Sequence, residues 1–183
     1  MTHSEHVILV DENGTISGQQ EKLQAHITGE LHQAFSVMLY RYSRSGEREY
    51  LLQQRAEGKY HSGRLWTNTC CSHPRINEDL EQACLRRLKE ELGIDQPLTL
   101  QEIGVFCYHA QLDNNLIEHE RDHVWVGEAV KLCLAPNPVE VMNCRWWSTH
   151  EIEQGLKENP AQFTAWFTDV FNRVKNWLNL ART

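Results

Sequence analysis

Residues 72–94 read SHPRINEDLEQACLRRLKEELGI, from Ser72 to Ile94. Apolar residues recur at Leu80, Cys84, Leu88 and Leu92, reinforced by Ala83 and Leu85, the i, i+4 spacing that gives a helix one buried face. Asn77 can cap this helix, acids fill its first turn and Gly93 stops it, so the spacing predicts a helix over Glu78–Leu92. Its other side carries Arg86, Arg87, Glu90 and Glu91. Read alone, these are two i, i+4 ion pairs on a solvated face.

Upstream of the helix, the alternation predicts a strand at His6–Asp11, a turn at Glu12–Gly14, and a hairpin of Gln33–Tyr42 and Tyr50–Gln54 around the polar loop Ser43–Glu49. Arg55–Pro74 is long and aperiodic and reads as a loop, and its Trp66, Cys70 and Cys71 argue that it is ordered and functional. Downstream, strands are expected at Leu100–Tyr108, His123–Leu132 and Val141–Trp147. Helices are expected at Thr149–Lys157 and Pro160–Leu180, leaving Thr168–Thr183 as an amphipathic helix with no assigned role. Strands around one central helix with a helical C-terminus make an α+β sandwich.

The bulk properties narrow the function. A chain of 183 residues suits one domain with one sizeable core. A net charge of -7 argues against nucleic acid as a partner, yet a few local cations can still bind phosphate. No apolar run is long enough to span a bilayer, and Met1–Glu5 shows no basic region leading into an apolar one, so the expectation is a cytoplasmic protein with no membrane partner. In that compartment the six cysteines are expected as free thiols.

The Ser72–Ile94 stretch resembles the Nudix box, G-x5-E-x7-R-E-U-x-E-E-x-G-U with U aliphatic. It matches at Glu78, Arg86, Leu88, Glu90, Glu91, Gly93 and Ile94, and departs at Ser72 for the first Gly and Arg87 for the first Glu of the core. The box aims helix carboxylates at a metal that bridges a diphosphate, and hard Mg²⁺ suits that role. A base at Arg87 removes a metal ligand and adds a phosphate donor. The resemblance therefore implies diphosphate binding and weakens the case for a hydrolytic metal cluster. It also implies a single α/β/α sandwich with a mixed sheet over residues 1–183, the box at 72–94 and a C-terminal helical part at 149–180.

The stretch Trp66–Pro74, WTNTCCSHP, is similar to the W-T-N-x-x-C-x-H-P motif of the type I isopentenyl-diphosphate isomerases. That resemblance implies Cys71, not Cys70, as a catalytic residue and His73 as a metal ligand. A thiol suits proton transfer because its acidity is tunable. In Ile117–Glu120, IEHE, an extended backbone would point Glu118 and Glu120 to one side. Two carboxylates there repel unless a cation or a proton joins them. Read alone, this stretch is polar surface. The resemblance implies that both acids bind a metal and that Glu120 is also catalytic. His26 and His32 complete a set of three imidazoles and two carboxylates that suits a divalent ion of the Mn²⁺, Zn²⁺ or Fe²⁺ type better than Mg²⁺. A separate Mg²⁺ is expected with Glu91 and the substrate diphosphate. The other histidines, His61 among them, match no motif.

The same resemblance maps diphosphate contacts to Lys22, Arg55 and Lys59 beside Arg87, and places Tyr108 and Trp166 against the hydrocarbon, with Tyr108 as a possible proton relay. It implies interconversion of a homoallylic and an allylic diphosphate by proton addition and removal through a tertiary carbocation in a dry site. Three other readings stand beside it: a nucleotide-diphosphate hydrolase, against which Arg87 counts; a cysteine hydrolase, against which the tight Cys71–His73 spacing counts; and a metal-stabilised binding module.

Overall fold

The computed structural model describes residues 5–181. The expectations for Met1–Glu5 and for Thr168–Thr183 fall partly on residues 1–4 and 182–183, outside the described residues. The strands are β1 (His6–Val10), β2 (Ile16–Glu21), β3 (His32–Tyr42), β4 (Arg48–Arg55), β5 (Trp66–Thr67), β6 (Cys70–Ser72), β7 (Gln101–Gln111), β8 (Ile117–Glu128) and β9 (Val141–Ser148). The helices are α1 (Lys22–Thr28), α2 (Leu80–Leu92), α3 (Thr149–Glu158) and α4 (Phe167–Leu180). The architecture is the expected α+β sandwich with a mixed sheet.

Strand β3 is the axis of that sheet. Along one edge it pairs in parallel with β8, from His32↔Glu120 to Tyr40↔Glu128. Along the other edge it meets β1 at His32, β6 at Phe35–Val37 and β4 at Tyr40–Tyr42, all antiparallel. Because side chains alternate across a strand, β3 serves two cores. Phe35, Val37 and Leu39 pack with Cys70, Ala83, Cys84, Leu88 and Leu92 under α2. Met38 packs with Val124, Val126, Phe167, Val170, Phe171 and Val174 under α4.

Four expectations need correction. Helix α2 starts at Leu80 with Asp79 as its cap, the carboxylate accepting from Gln82 N. Asn77 instead takes a left-handed φ of 61°, which Asn tolerates and a cap does not use. Strand β8 begins at Ile117, so IEHE is strand and not surface loop, while 129–132 lies beyond it. Parallel pairing with β3 is a long-range contact that local polarity does not reveal. The helix expected over Pro160–Leu180 is a 3-10 turn at Pro160–Gln162 followed by α4. Between them Thr164 N bonds to Trp66 O at 3.0 Å, and this docking on β5 unwinds the chain. The Arg55–Pro74 stretch contains the short strands β5 and β6. The reading also passed over β2 and α1, which is capped by Glu21 and ends at Gly29 with φ 72°.

Candidate active site

Register places the site residues on one face of the sheet. Glu120 of β8 pairs with His32 of β3 and with Tyr108 of β7. Ser36 of β3 pairs with Cys71 of β6. Laterally paired residues share a face, so His32, Ser36, Cys71, Tyr108, Glu118 and Glu120 all project to the α4 side. Cys70 pairs with Val37 and projects into the α2 core. Period-two alternation thus separates the two adjacent cysteines. His73 follows Cys71 at the same parity, and His26 enters from α1.

His26, His32, His73, Glu118 and Glu120 offer ligand atoms that all lie within 4.8 Å of one another. His26 Nε2 is 2.8 Å from Glu118 Oε1, and His73 Nε2 is 2.9 Å from Glu120 Oε1. His32 Nε2 is 3.7 Å from Glu118 and 3.6 Å from Glu120. The orientation of two rings is fixed from behind. His26 Nδ1 donates to Lys22 O at 2.7 Å, and His32 Nδ1 donates to Glu30 O at 2.8 Å. A carbonyl can only accept, so in the neutral rings both Nε2 lone pairs face the cluster. His32 Nε2 and Glu118 Oε1 are buried without a hydrogen-bond partner.

The electrostatics point the same way. Burial, then neighbouring Glu120, pushes the Glu118 carboxyl well above the usual range. Burial opposes ionisation of Glu120 too, but the neighbouring His32 and His73 imidazoles outweigh it and hold that carboxyl well below. Burial lowers His73 to about 3, so its ring is neutral, the form a ligand needs. Orphaned buried donors and two crowded acids are relieved by a divalent cation, and these residues fit one.

Cys71 lies beside the cluster. Its Sγ is 2.9 Å from Asn68 Oδ1, to which it donates, and receives the Trp166 indole N–H at 2.9 Å. Burial, then Asp122, pushes the thiol up to about 12. Tyr108 donates its hydroxyl to Glu120 Oε2 at 2.6 Å. Cys71, His73, Glu118, Glu120, Trp166, Lys22, Arg55, Lys59 and Arg87 line one narrow cleft of about 30 Å³.

The NUDIX domain family matches residues 30–167. An isopentenyl-diphosphate Delta-isomerase of Photobacterium profundum is 55% identical over 179 residues, covering 98% of this chain and 99% of that one. The chain belongs to the isopentenyl-diphosphate Delta-isomerase family. The isomerase of Aliivibrio fischeri strain MJ11 is 48% identical, covering 97% of this chain and 99% of that one. Solved structures show the fold at lower identity. DR0079 from Deinococcus radiodurans has a TM-score of 0.66 at 15% identity, covering 85% of this chain and 90% of that one. A Nudix hydrolase from M. smegmatis, RenU, has a TM-score of 0.61 at 20% identity, covering 97% and 96%.

Within this isomerase the cationic residues divide. Arg55 donates to His61 O at 3.1 Å and leaves its buried Nε without a partner, a donor available to an anion. Lys59 is hydrogen-bonded to Glu140, and Lys22 lies 2.8 Å from Glu5. Arg87, expected to face a phosphate, grips Glu91 Oε1 at 2.6 Å, while Gln53 Nε2 holds Glu91 Oε2 at 2.7 Å. Glu91 stands apart from the His/Glu cluster.

The sequence reading missed two buried residues beside this candidate site. His61 is buried, with Nε2 3.3 Å from Glu118 Oε2, and burial, then Arg55, lowers it to about 2. No motif marked it, because its loop reaches the site only through tertiary contacts, Ser62 N to Asp113 Oδ1 and Asn114 Nδ2 to Tyr60 O. Asp122 was findable: it continues the Glu118, Glu120 alternation by one step.

Proposed function

We propose that this chain interconverts isopentenyl diphosphate and dimethylallyl diphosphate by metal-dependent protonation and deprotonation through a carbocation-like intermediate, supplying isoprenoid biosynthesis. The observation that carries the reading is the shared cleft. A thiol and an ionised carboxylate, Cys71 and Glu120, line it together beneath Trp166, with Arg55 and Lys59 in its wall.

A 1,3-shift of a double bond needs one group to give a proton and another to take one. In the resting site Cys71 carries a proton and Glu120 does not. Tyr108, bonded to Glu120 Oε2, can pass a proton to or from that carboxylate. Their roles exchange in the reverse direction, as reversibility requires. Cation–π attraction of about 0.5–2 kcal/mol is available to a carbocation at an aromatic face, and Trp166, its N–H anchored on Cys71, is held to offer one. Tyr60 and Trp166 line the cleft, and aromatic walls of this kind would help keep out the water that would trap the cation.

His26, His32, His73, Glu118 and Glu120 would hold the resident ion, and three imidazoles with two carboxylates favour Mn²⁺ or Zn²⁺. That ion would set the proton affinity of Glu120. Mg²⁺ is proposed with the diphosphate, Glu91 being its protein carboxylate, and Lys22, Arg55, Lys59 and Arg87 bind the phosphates. A cytoplasmic location is proposed, where its six free cysteines would stay reduced.

The test is proton NMR of isopentenyl diphosphate incubated with the protein and Mg²⁺ plus Mn²⁺ in deuterated buffer. Dimethylallyl diphosphate carrying solvent deuterium is expected. Unchanged substrate with folded, metal-loaded protein would overturn the reading, and phosphate release would replace it with hydrolysis.

A further inference from the structure

The reverse face of β7 and β8 carries a second pair of imidazoles. Tyr108, Glu118 and Glu120 project toward α4, so the residues next to them in the chain project the other way. There His119 of β8 pairs directly with His109 of β7. Their ring centroids lie 5.0 Å apart, with the rings tilted by 71°. The cluster on the α4 side sets its rings at the same spacing, 4.9 Å for His26 and His32 and 5.0 Å for His32 and His73. That spacing is the one chelation needs. A metal about 2.1 Å from each ligating nitrogen, with the two bonds near the tetrahedral angle, holds the ring centroids about 5 Å apart.

His119 is also oriented as the clustered histidines are. Its Nδ1 donates to Gly29 O at 2.9 Å, as His32 Nδ1 donates to Glu30 O. The neutral ring is left with its lone pair on Nε2, the form a metal takes up. Two consecutive carbonyls, Gly29 and Glu30, thus orient one histidine on each face of the sheet. His119 is half-buried and His109 is exposed, and β7 lies at the rim of the sheet with β8 as its strand partner. An ion from solvent can reach the pair without entering the cleft.

We infer that His109 and His119 form a second metal site, a two-histidine chelate on the reverse face of the sheet for a borderline divalent ion of the Zn²⁺ or Cu²⁺ type. Imidazole suits these ions, whereas hard Mg²⁺ prefers oxygen. Water fills the remaining positions, so the ion exchanges readily. Neither residue lines the cleft, and the isomerisation chemistry uses neither.

The test is equilibrium dialysis of the native enzyme and its variants against Zn²⁺ in the presence of excess Mg²⁺, with zinc per chain counted by elemental analysis. The native chain is expected to hold one zinc more than His109→Ala, and one more than His119→Ala. The double variant should match the single ones, because a chelate needs both rings. His73→Ala should weaken zinc binding at the His/Glu cluster and leave the pair's ion in place, so failure of one site is read separately from failure of the other. Equal zinc in the native chain and folded His109→Ala would overturn the inference. Losses that add in the double variant would overturn it too, since they mark two independent surface contacts. If His119→Ala does not fold, the count for His109→Ala decides alone.

Discussion

Cys70 and Cys71 are the same residue type at adjacent positions, and the sheet assigns them opposite fates. Cys71 faces a cleft with a carboxylate and an indole, while Cys70 is sealed among Val37, Ala83 and Leu88. Cys71→Ala is expected to lower kcat by about 10²–10⁴-fold, the range for losing a general acid or base, with an unchanged thermal melt. Cys70→Ala should keep activity and cost about 1 kcal/mol of stability in urea unfolding, the loss of a small buried group. Metal removal is argued at this scale too, since His32 Nε2 and Glu118 Oε1 have no other partner. Chelation should abolish turnover and lower the melting temperature, and Mn²⁺ should reverse both, adding about 2.7 kcal/mol when present at a hundred times its Kd. A melt indifferent to chelator and to Mn²⁺ would count against the five-residue centre.

Helix α2 shows how an element is tied into the fold by one charged pair. Glu78 stands just before it, and Arg86, two turns on, reaches back with Nε at 2.6 Å and Nη2 at 2.9 Å. The hydrogen bond from Arg86 is the largest influence holding the Glu78 carboxyl below its ordinary 4.5. A depressed carboxylate stabilises the fold fully above its unfolded value and loses that contribution as pH falls through its folded value. Glu78→Gln should therefore be less stable than the native chain by about 1.5 kcal/mol at pH 7, and the gap should close below pH 4.5. Equal pH dependence of the two chains in urea unfolding would refute the assignment. The buried stripe of α2 was legible from spacing alone, because a 3.6-residue period is a local property. Its start was not, because Asn77 and Asp79 are both good caps by composition and the turn geometry chose between them.

At the scale of the whole molecule, the site gathers residues from α1 to the segment before α4. That segment and α4 together close one of the two cores: Phe163, Phe167, Val170, Phe171, Val174 and Leu178 are all buried. Burying each such side chain contributes about 1.5–3 kcal/mol, and together they are comparable to the roughly 5–15 kcal/mol net stability of an ordinary domain. A chain ended after Asn159 is expected to lose cooperative unfolding and, with Trp166 absent, turnover. A sharp native-like melt from that truncation would show that the α2 core suffices. The sequence by itself determined the fold class, the α2 stripe, and the chemistry-bearing motifs WTNTCCSHP and IEHE, because periodicity and motif spacing are written in consecutive residues. It identified Glu118 and Glu120 as neighbours on one side of an extended backbone, yet locally they read as surface. The tertiary structure decided that β3 and β8 pair in parallel, and so bury those acids opposite His32. It also decided that the chain unwinds before α4 to bring Trp166 onto Cys71, and that His61 and Asp122 join the site. These outcomes depend on contacts between residues far apart in the chain, whose energies no local pattern encodes.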